Sequence, residues 1–177
     1  MSGTPPGATP GIPRRLACLA YEAVLVVAIA FFATSLFQFA SGGREATGGL
    51  RIALQAYLLA VLAAYFMWCW LRGGQTLAMK AWRIRLIAPG HARIPPATAL
   101  LRLLLAGVFV GAFLGGLAAA FMQHNALLSF ATLAISGAGI GWAYFDRDGQ
   151  FLHDRLCGTR LVRVPPPPKP GVPPQSG

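Results

Sequence analysis

The chain has 177 residues, of which 55% are hydrophobic and 11% charged, and a formal net charge of +10; its mean hydropathy is +0.57. A soluble domain carries about 25% charged residues, so this composition excludes an ordinary soluble domain, a basic nucleic-acid binder included, and points to a bilayer. In a membrane protein an excess of Lys and Arg marks the cytoplasmic loops.

Residues 1–13 read as a disordered arm. Four apolar runs follow, at about 16–40, 52–71, 97–122 and 126–145. Each reaches the roughly 20 residues a helix needs to cross the hydrocarbon. The expectation is an all-α transmembrane domain over 14–164, a four-helix membrane bundle. The first run is longer than a signal-peptide core of about 7–15 residues, and it contains Glu22, so it reads as a retained helix. Gln123-His124-Asn125 is a polar break that turns runs three and four into an antiparallel hairpin.

The basic residues set the orientation. Arg14 and Arg15 precede the first run. Arg72, Lys80, Arg83, Arg85 and Arg93 lie between runs two and three, with Arg102 just inside run three. Arg147, Arg155, Arg160, Arg163 and Lys169 follow run four. Only Arg44 and Arg51 fall on the other side. The positive-inside rule then predicts a multi-pass protein of the cell membrane with both termini cytoplasmic.

The segment GGQTLAMKAWRIRLI, residues 73–87, thus reads as a cytoplasmic loop against the membrane. Its basic residues face anionic headgroups, and its Trp and Leu dip into the interface. Residues 82–87 alternate apolar and basic, which is strand period. Ala88-Pro89-Gly90-His91 signals a turn, and Ala92-Arg93-Ile94 reads as a short returning strand. Residues 159–164 read as a further strand, so a small cytoplasmic β-ribbon is expected. The proline-rich residues 165–177 read as a disordered tail.

Gly107, Gly111 and Gly115 recur every four residues in run three, as do Gly137 and Gly141 in run four. Small residues let helix backbones approach where lipid offers no hydrophobic drive, so these glycines are predicted to pack run three on run four. Two residues resist a packing account. Glu22 and Arg102 are ionisable groups inside apolar runs, costly unless paired or wetted. They are natural partners, so one reading is that Glu22 clamps the first helix to the third through Arg102. The other reading is an ion or proton site at Glu22. Arg15, seven residues earlier, shares its helix face about 10 Å away. Three cysteines at unrelated spacings imply neither a disulfide framework nor a zinc site. His153 and Cys157 make half a metal site at most. Asp154 is expected to pair with a neighbouring Arg, and neither a metal nor a cofactor is expected.

Three segments together resemble the RDD family of small bacterial membrane proteins, named for one Arg and two Asp. Arg15-Leu16-Ala17-Cys18-Leu19-Ala20-Tyr21-Glu22 is similar to its first-helix pattern, an Arg followed seven positions later by an acid. Gly74-Gln75-Thr76-Leu77-Ala78-Met79-Lys80 is similar to its central loop. Leu152-His153-Asp154-Arg155-Leu156-Cys157-Gly158-Thr159 is similar to its closing segment. Glu22 stands where the family has Asp, and Ala78 where it has Gly. The resemblance implies Arg15, Glu22 and Asp154 as the residues to carry over. It also implies a loop of Gly74, Gln75, Thr76 and Lys80 that holds the ends of helices two and three near Asp154. For function it implies transport, in some members cation/proton exchange. Four helices make a thin pathway, so a homo-oligomer is expected. The competing reading is a scaffold or accessory subunit that uses the basic face and proline tail. A membrane enzyme ranks last, because the sequence carries no nucleophile–base pair, ligand set or phosphate loop.

Overall fold

Gly11 and Pro13 open the first helix, since proline in the first turn needs no amide partner. This helix, α1, runs Ile12–Ala40. It closes at Ser41, whose amide donates to the Phe37 carbonyl at 2.9 Å. α2 spans Gly48–Gly73 and stops at Gly74 in the left-handed conformation. Then come a short α3 (Leu77–Ala81), β1 (Ile84–Ile87), α4 (Pro96–Phe121), α5 (Ala126–Phe145), a short α6 (Leu152–Leu156) and β2 (Arg160–Arg163). The structure, a computed structural model, describes residues 9–122, 126–146 and 150–165. Most of the expected N-terminal arm, the turn at 123–125 and nearly all of the proline tail lie outside the described residues.

α1, α2 and α4 are long and apolar enough to cross a membrane, and α5 is apolar over Ala126–Ala138. Their mid-span side chains, Val24, Phe32, Leu59 and Val108 among them, are exposed. In a bilayer acyl chains cover such faces, and no water drives them together. The buried core lies instead at one end of the helices, where Cys18, Trp70, Ala78, Met79, Ile84, Leu86, Ile94, Ala99 and Leu161 cluster.

At that end three distant segments meet. β1 pairs antiparallel with β2, Leu86 opposite Leu161 and Arg85 opposite Val162. The Arg14 guanidinium donates to the Trp82 carbonyl at 2.9 Å, and Arg160 donates to Thr9 at 3.4 Å. The start of α1, the segment between α2 and α4, and the strand after α6 thus share one side.

The ribbon corrects the expected pairing. Ala92-Arg93-Ile94 does not return beside β1; the distant 160–163 segment does. Ile94 is buried in the core, and Pro95-Pro96 behind it supplies no ladder donors and starts α4 instead. Strand β1 buries Ile84 and Leu86 while Arg85 faces out, and β2 offers Leu161 to that inner face.

The glycine expectation is corrected too. Among the described residues a Cβ at Gly107, Gly111, Gly115, Gly137 or Gly141 would meet nothing within 4 Å. The α4–α5 contact runs through Gly116, where a Cβ would lie 2.7 Å from Thr132 Oγ1 and 2.8 Å from Leu133 Cγ. Ser136 joins it, donating to the Phe109 carbonyl at 2.9 Å. The regular spacing marks one face of α4, but tertiary packing turns the neighbouring face toward α5.

Candidate functional site

Two polar clusters sit at the core end of the helices, and α1 contributes to both. The first surrounds Glu22, about 15 Å along α1 from Ile12. Tyr65 of α2 donates its hydroxyl to Glu22 Oε1 at 3.0 Å. Thr76 donates its hydroxyl to Glu22 Oε2. Among the described residues no cation forms an ion pair with Glu22.

Local sequence explains how Thr76 arrives there. Gly74 ends α2 at φ +65°, a conformation glycine adopts without penalty. A Cβ there would stand 2.5 Å from the Leu86 carbonyl oxygen, so close approach demands glycine as well. The Leu86 amide donates to the Gly74 carbonyl at 2.8 Å, and the Gln75 side chain donates to the Ile84 carbonyl at 2.7 Å. The loop is thereby stitched to β1. Thr76 is fully buried and caps α3, accepting from the Met79 amide at 3.2 Å. One hydroxyl therefore both starts α3 and bonds Glu22. Lys80, the remaining residue of the loop motif, is exposed.

The second cluster surrounds Asp154, which is fully buried on α6. Arg102 of α4 pairs with Asp154 Oδ1 and donates to Thr159 Oγ1 at 3.0 Å. The Thr159 amide donates to the Asp154 carbonyl at 3.0 Å. Two aromatic rings flank the cations: the Arg102 guanidinium lies 5.4 Å from the centroid of Trp70 and that of Arg15 5.2 Å from the centroid of Phe151, both in the range of cation–π attraction. Arg15 is buried, and Asp154 and Asp146 both attract its charge. His153 lies 3.5 Å from Asp154 Oδ1. Burial pushes its pKa down to about 4; Asp154 opposes that shift, and Arg102 and Arg15 add to it. His153 is therefore neutral at pH 7.

The expected Glu22–Arg102 clamp does not form. Arg102 is six residues into α4, about 9 Å from its start, whereas Glu22 is about 15 Å into α1. Arg102 is level with the end layer, where α6 presents Asp154. The loop motif likewise delivers Thr76 to Glu22, not to Asp154. Arg15 and Asp154 come together; Glu22 stands apart from both. Tyr65 and Thr159 were not singled out from sequence. A hydroxyl in the apolar run 52–71 was the available signal for Tyr65, because such a group needs a partner in lipid. Thr159 stood at the edge of the closing segment.

The model of the RDD family matches residues 9–158, most of the chain. The chain belongs to the RDD family. No curated protein and no solved structure matches it. As an RDD-family membrane protein, it carries Glu22 and Asp154 in two different settings, one held by hydroxyls and the other by a guanidinium. Among the described residues no group of three His, Cys, Asp or Glu side chains has the geometry to hold a metal ion.

Proposed function

We propose that this RDD protein is a small transporter that exchanges cations for protons, with Glu22 as the exchanging carboxylate. The observation that carries the reading is the setting of Glu22, an acid in a long apolar helix whose described partners are two neutral hydroxyls, Tyr65 and Thr76. Intramembrane carboxylates are costly and mark ion and proton paths. Hydroxyls accept as well as donate, so Tyr65 and Thr76 can serve both the charged and the protonated acid. The same oxygens suit a hard cation. A cation on the carboxylate and a proton on it are mutually exclusive, and that exclusion is the chemistry of exchange.

In this reading α5 is the fourth crossing and both termini are cytoplasmic. The distribution of basic residues supports that side, and the meeting of 9–15, 82–87 and 160–163 supports an even number of crossings. The exposed basic residues of the loop then face anionic headgroups. A homo-oligomer completes the pathway, and the open face at Gly107, Gly111 and Gly115 on α4 has room for a second copy. Arg15, Arg102 and Asp154 hold the framework around the exchanging acid.

The test is flux in proteoliposomes with a pH-sensitive dye inside and Na⁺, K⁺ or Li⁺ added outside. Cation-dependent proton movement in the wild type, lost in Glu22→Gln, is the expected result. Well-folded wild type with no flux for any of the three ions would sink the reading and favour a scaffold or accessory role.

A further inference from the structure

A cavity of about 240 Å³ opens where α2 ends, bounded by Arg72, Arg85, His91 and Arg93 around the buried Trp70 and Leu86. It shares Trp70 with the Asp154 cluster and Gly74 with the loop that carries Thr76, but Tyr65, Thr76, Arg102 and His153, the groups beside Glu22 and Asp154, do not line it. We infer that this cavity binds one phosphate ester, with Arg85 and Arg93 as its principal cationic ligands.

Four observations carry the inference. No acid among the described residues lines the cavity. Among the described residues Arg72, Arg85 and Arg93 form no ion pair, so none of those residues neutralises their positive charge by direct pairing. Trp70, which lines the cavity, is only 4% exposed, so a packed aromatic ring rather than a mobile side chain backs the arginines. Finally, the wall is built rather than incidental. The close approach at Gly74 and the Gly74–Leu86 hydrogen bond fix β1 against the end of α2, which sets Arg85 beside the cavity. Guanidinium groups suit phosphate because their planar donors match its oxygens in pairs.

The volume is below the roughly 300 Å³ lower bound of drug-sized pockets, so the site takes a headgroup-sized ester. The Arg72 guanidinium lies 3.8 Å from the centroid of Trp68, which is exposed. Such pairs sit at headgroup level, so both a lipid phosphodiester and a soluble phosphate monoester can reach the cavity. The inference does not depend on the transport reading: it concerns other residues and is read out by binding.

The experiment is thermal unfolding of the full chain in neutral detergent. The probes are dihexanoyl phosphatidylglycerol, glycerol 3-phosphate and inorganic phosphate, with NaCl at matched ionic strength as baseline. The expected result is a saturable rise in Tm above that baseline. In Arg85→Gln/Arg93→Gln the half-saturating concentration should increase by about tenfold or more, as loss of charge-assisted bonds requires. Lys80→Gln/Arg83→Gln removes the same charge outside the cavity and should respond like the wild type. A response to the lipid alone assigns the site to a headgroup; an equal response to the water-soluble esters assigns it to a free phosphate. No saturable response to any probe overturns the inference, and so does an equal loss in the two double variants, which would mean diffuse attraction to a basic face. Arg85 and Arg93 are both exposed, so the variant retains its fold. Native mass spectrometry of the wild type supplies a second reading: one retained phosphatidylglycerol supports a headgroup site, and uniform stripping of all lipid overturns the headgroup assignment.

Discussion

Glu22 lies beside Thr76 of a distant loop and Asp154 beside Thr159 of its own closing segment, but their charges are balanced differently. Asp154 is fully buried against the Arg102 guanidinium. Removing either charge leaves the other buried and unpaired, which is costly. Glu22 is half-buried and tied to hydroxyls of Tyr65 and Thr76. A neutral replacement of similar shape still finds donors and acceptors there. The contrast separates an acid paired with a guanidinium from one held by hydroxyls, within a single small membrane protein.

The largest expected effect breaks the structural side of the contrast. Arg102→Met should destabilise the fold by about 3–5 kcal/mol, seen as a lower Tm and aggregation in detergent, while Arg102→Met/Asp154→Leu should recover much of the loss. A single variant as stable as the wild type would show that the pair holds nothing together. Next, Gly74→Ala forces a Cβ toward the Leu86 carbonyl at positive φ and should cost about 3 kcal/mol. It should also disturb Thr76 and hence flux, while a variant with normal Tm and flux would dismiss the loop as the support of Glu22.

The pH dependence of stability tests the Asp154 cluster from another direction. His153 has an ordinary pKa of 6.5 and a folded value of about 4. Between those values the unfolded chain binds the proton that the folded chain refuses. Stability should therefore fall as pH drops from 6.5 toward 4, by on the order of 2–3 kcal/mol in all. Below about 4 this contribution has been lost. Comparing Tm against pH for wild type and His153→Gln isolates the effect; parallel curves would show that His153 is not the source. The smallest effect on stability is expected at Glu22→Gln, below about 1 kcal/mol, because an amide both donates and accepts. Near-normal Tm with flux abolished would sharpen the contrast most, whereas a loss of stability as large as that of Arg102→Met would erase it.

Much of the fold was legible in the sequence because a bilayer imposes a simple rule. Backbone groups in lipid must be satisfied within the segment, so long apolar runs become helices. The apolar runs appear as α1, α2, α4 and α5, with ends shifted by a few residues. The pairing of β1 was harder. Its period was visible, but a strand's period does not name its partner, and β2 lies more than 70 residues downstream. The glycine spacing likewise marked a face of α4 without saying what would cover it. Among the polar residues, the sequence exposed Glu22 and Arg102 as anomalies inside apolar runs, and marked Asp154 through the family resemblance and an expected Arg partner. Residue counting puts Glu22 and Arg102 in the same third of the bilayer, too coarse to separate the two layers in which Arg102 meets Asp154 and Glu22 meets Tyr65 and Thr76.

Composition and patterning by themselves determined the membrane class, the apolar helical segments and the segregation of basic residues, because transfer of apolar and charged groups between water and lipid depends on residue type alone. Only the tertiary structure decided which acid meets a cation and which meets hydroxyls. That choice depends on where a fold-back at Gly74 and a short helix after α5 place single polar atoms within hydrogen-bond reach, and such distances follow from packing rather than from composition.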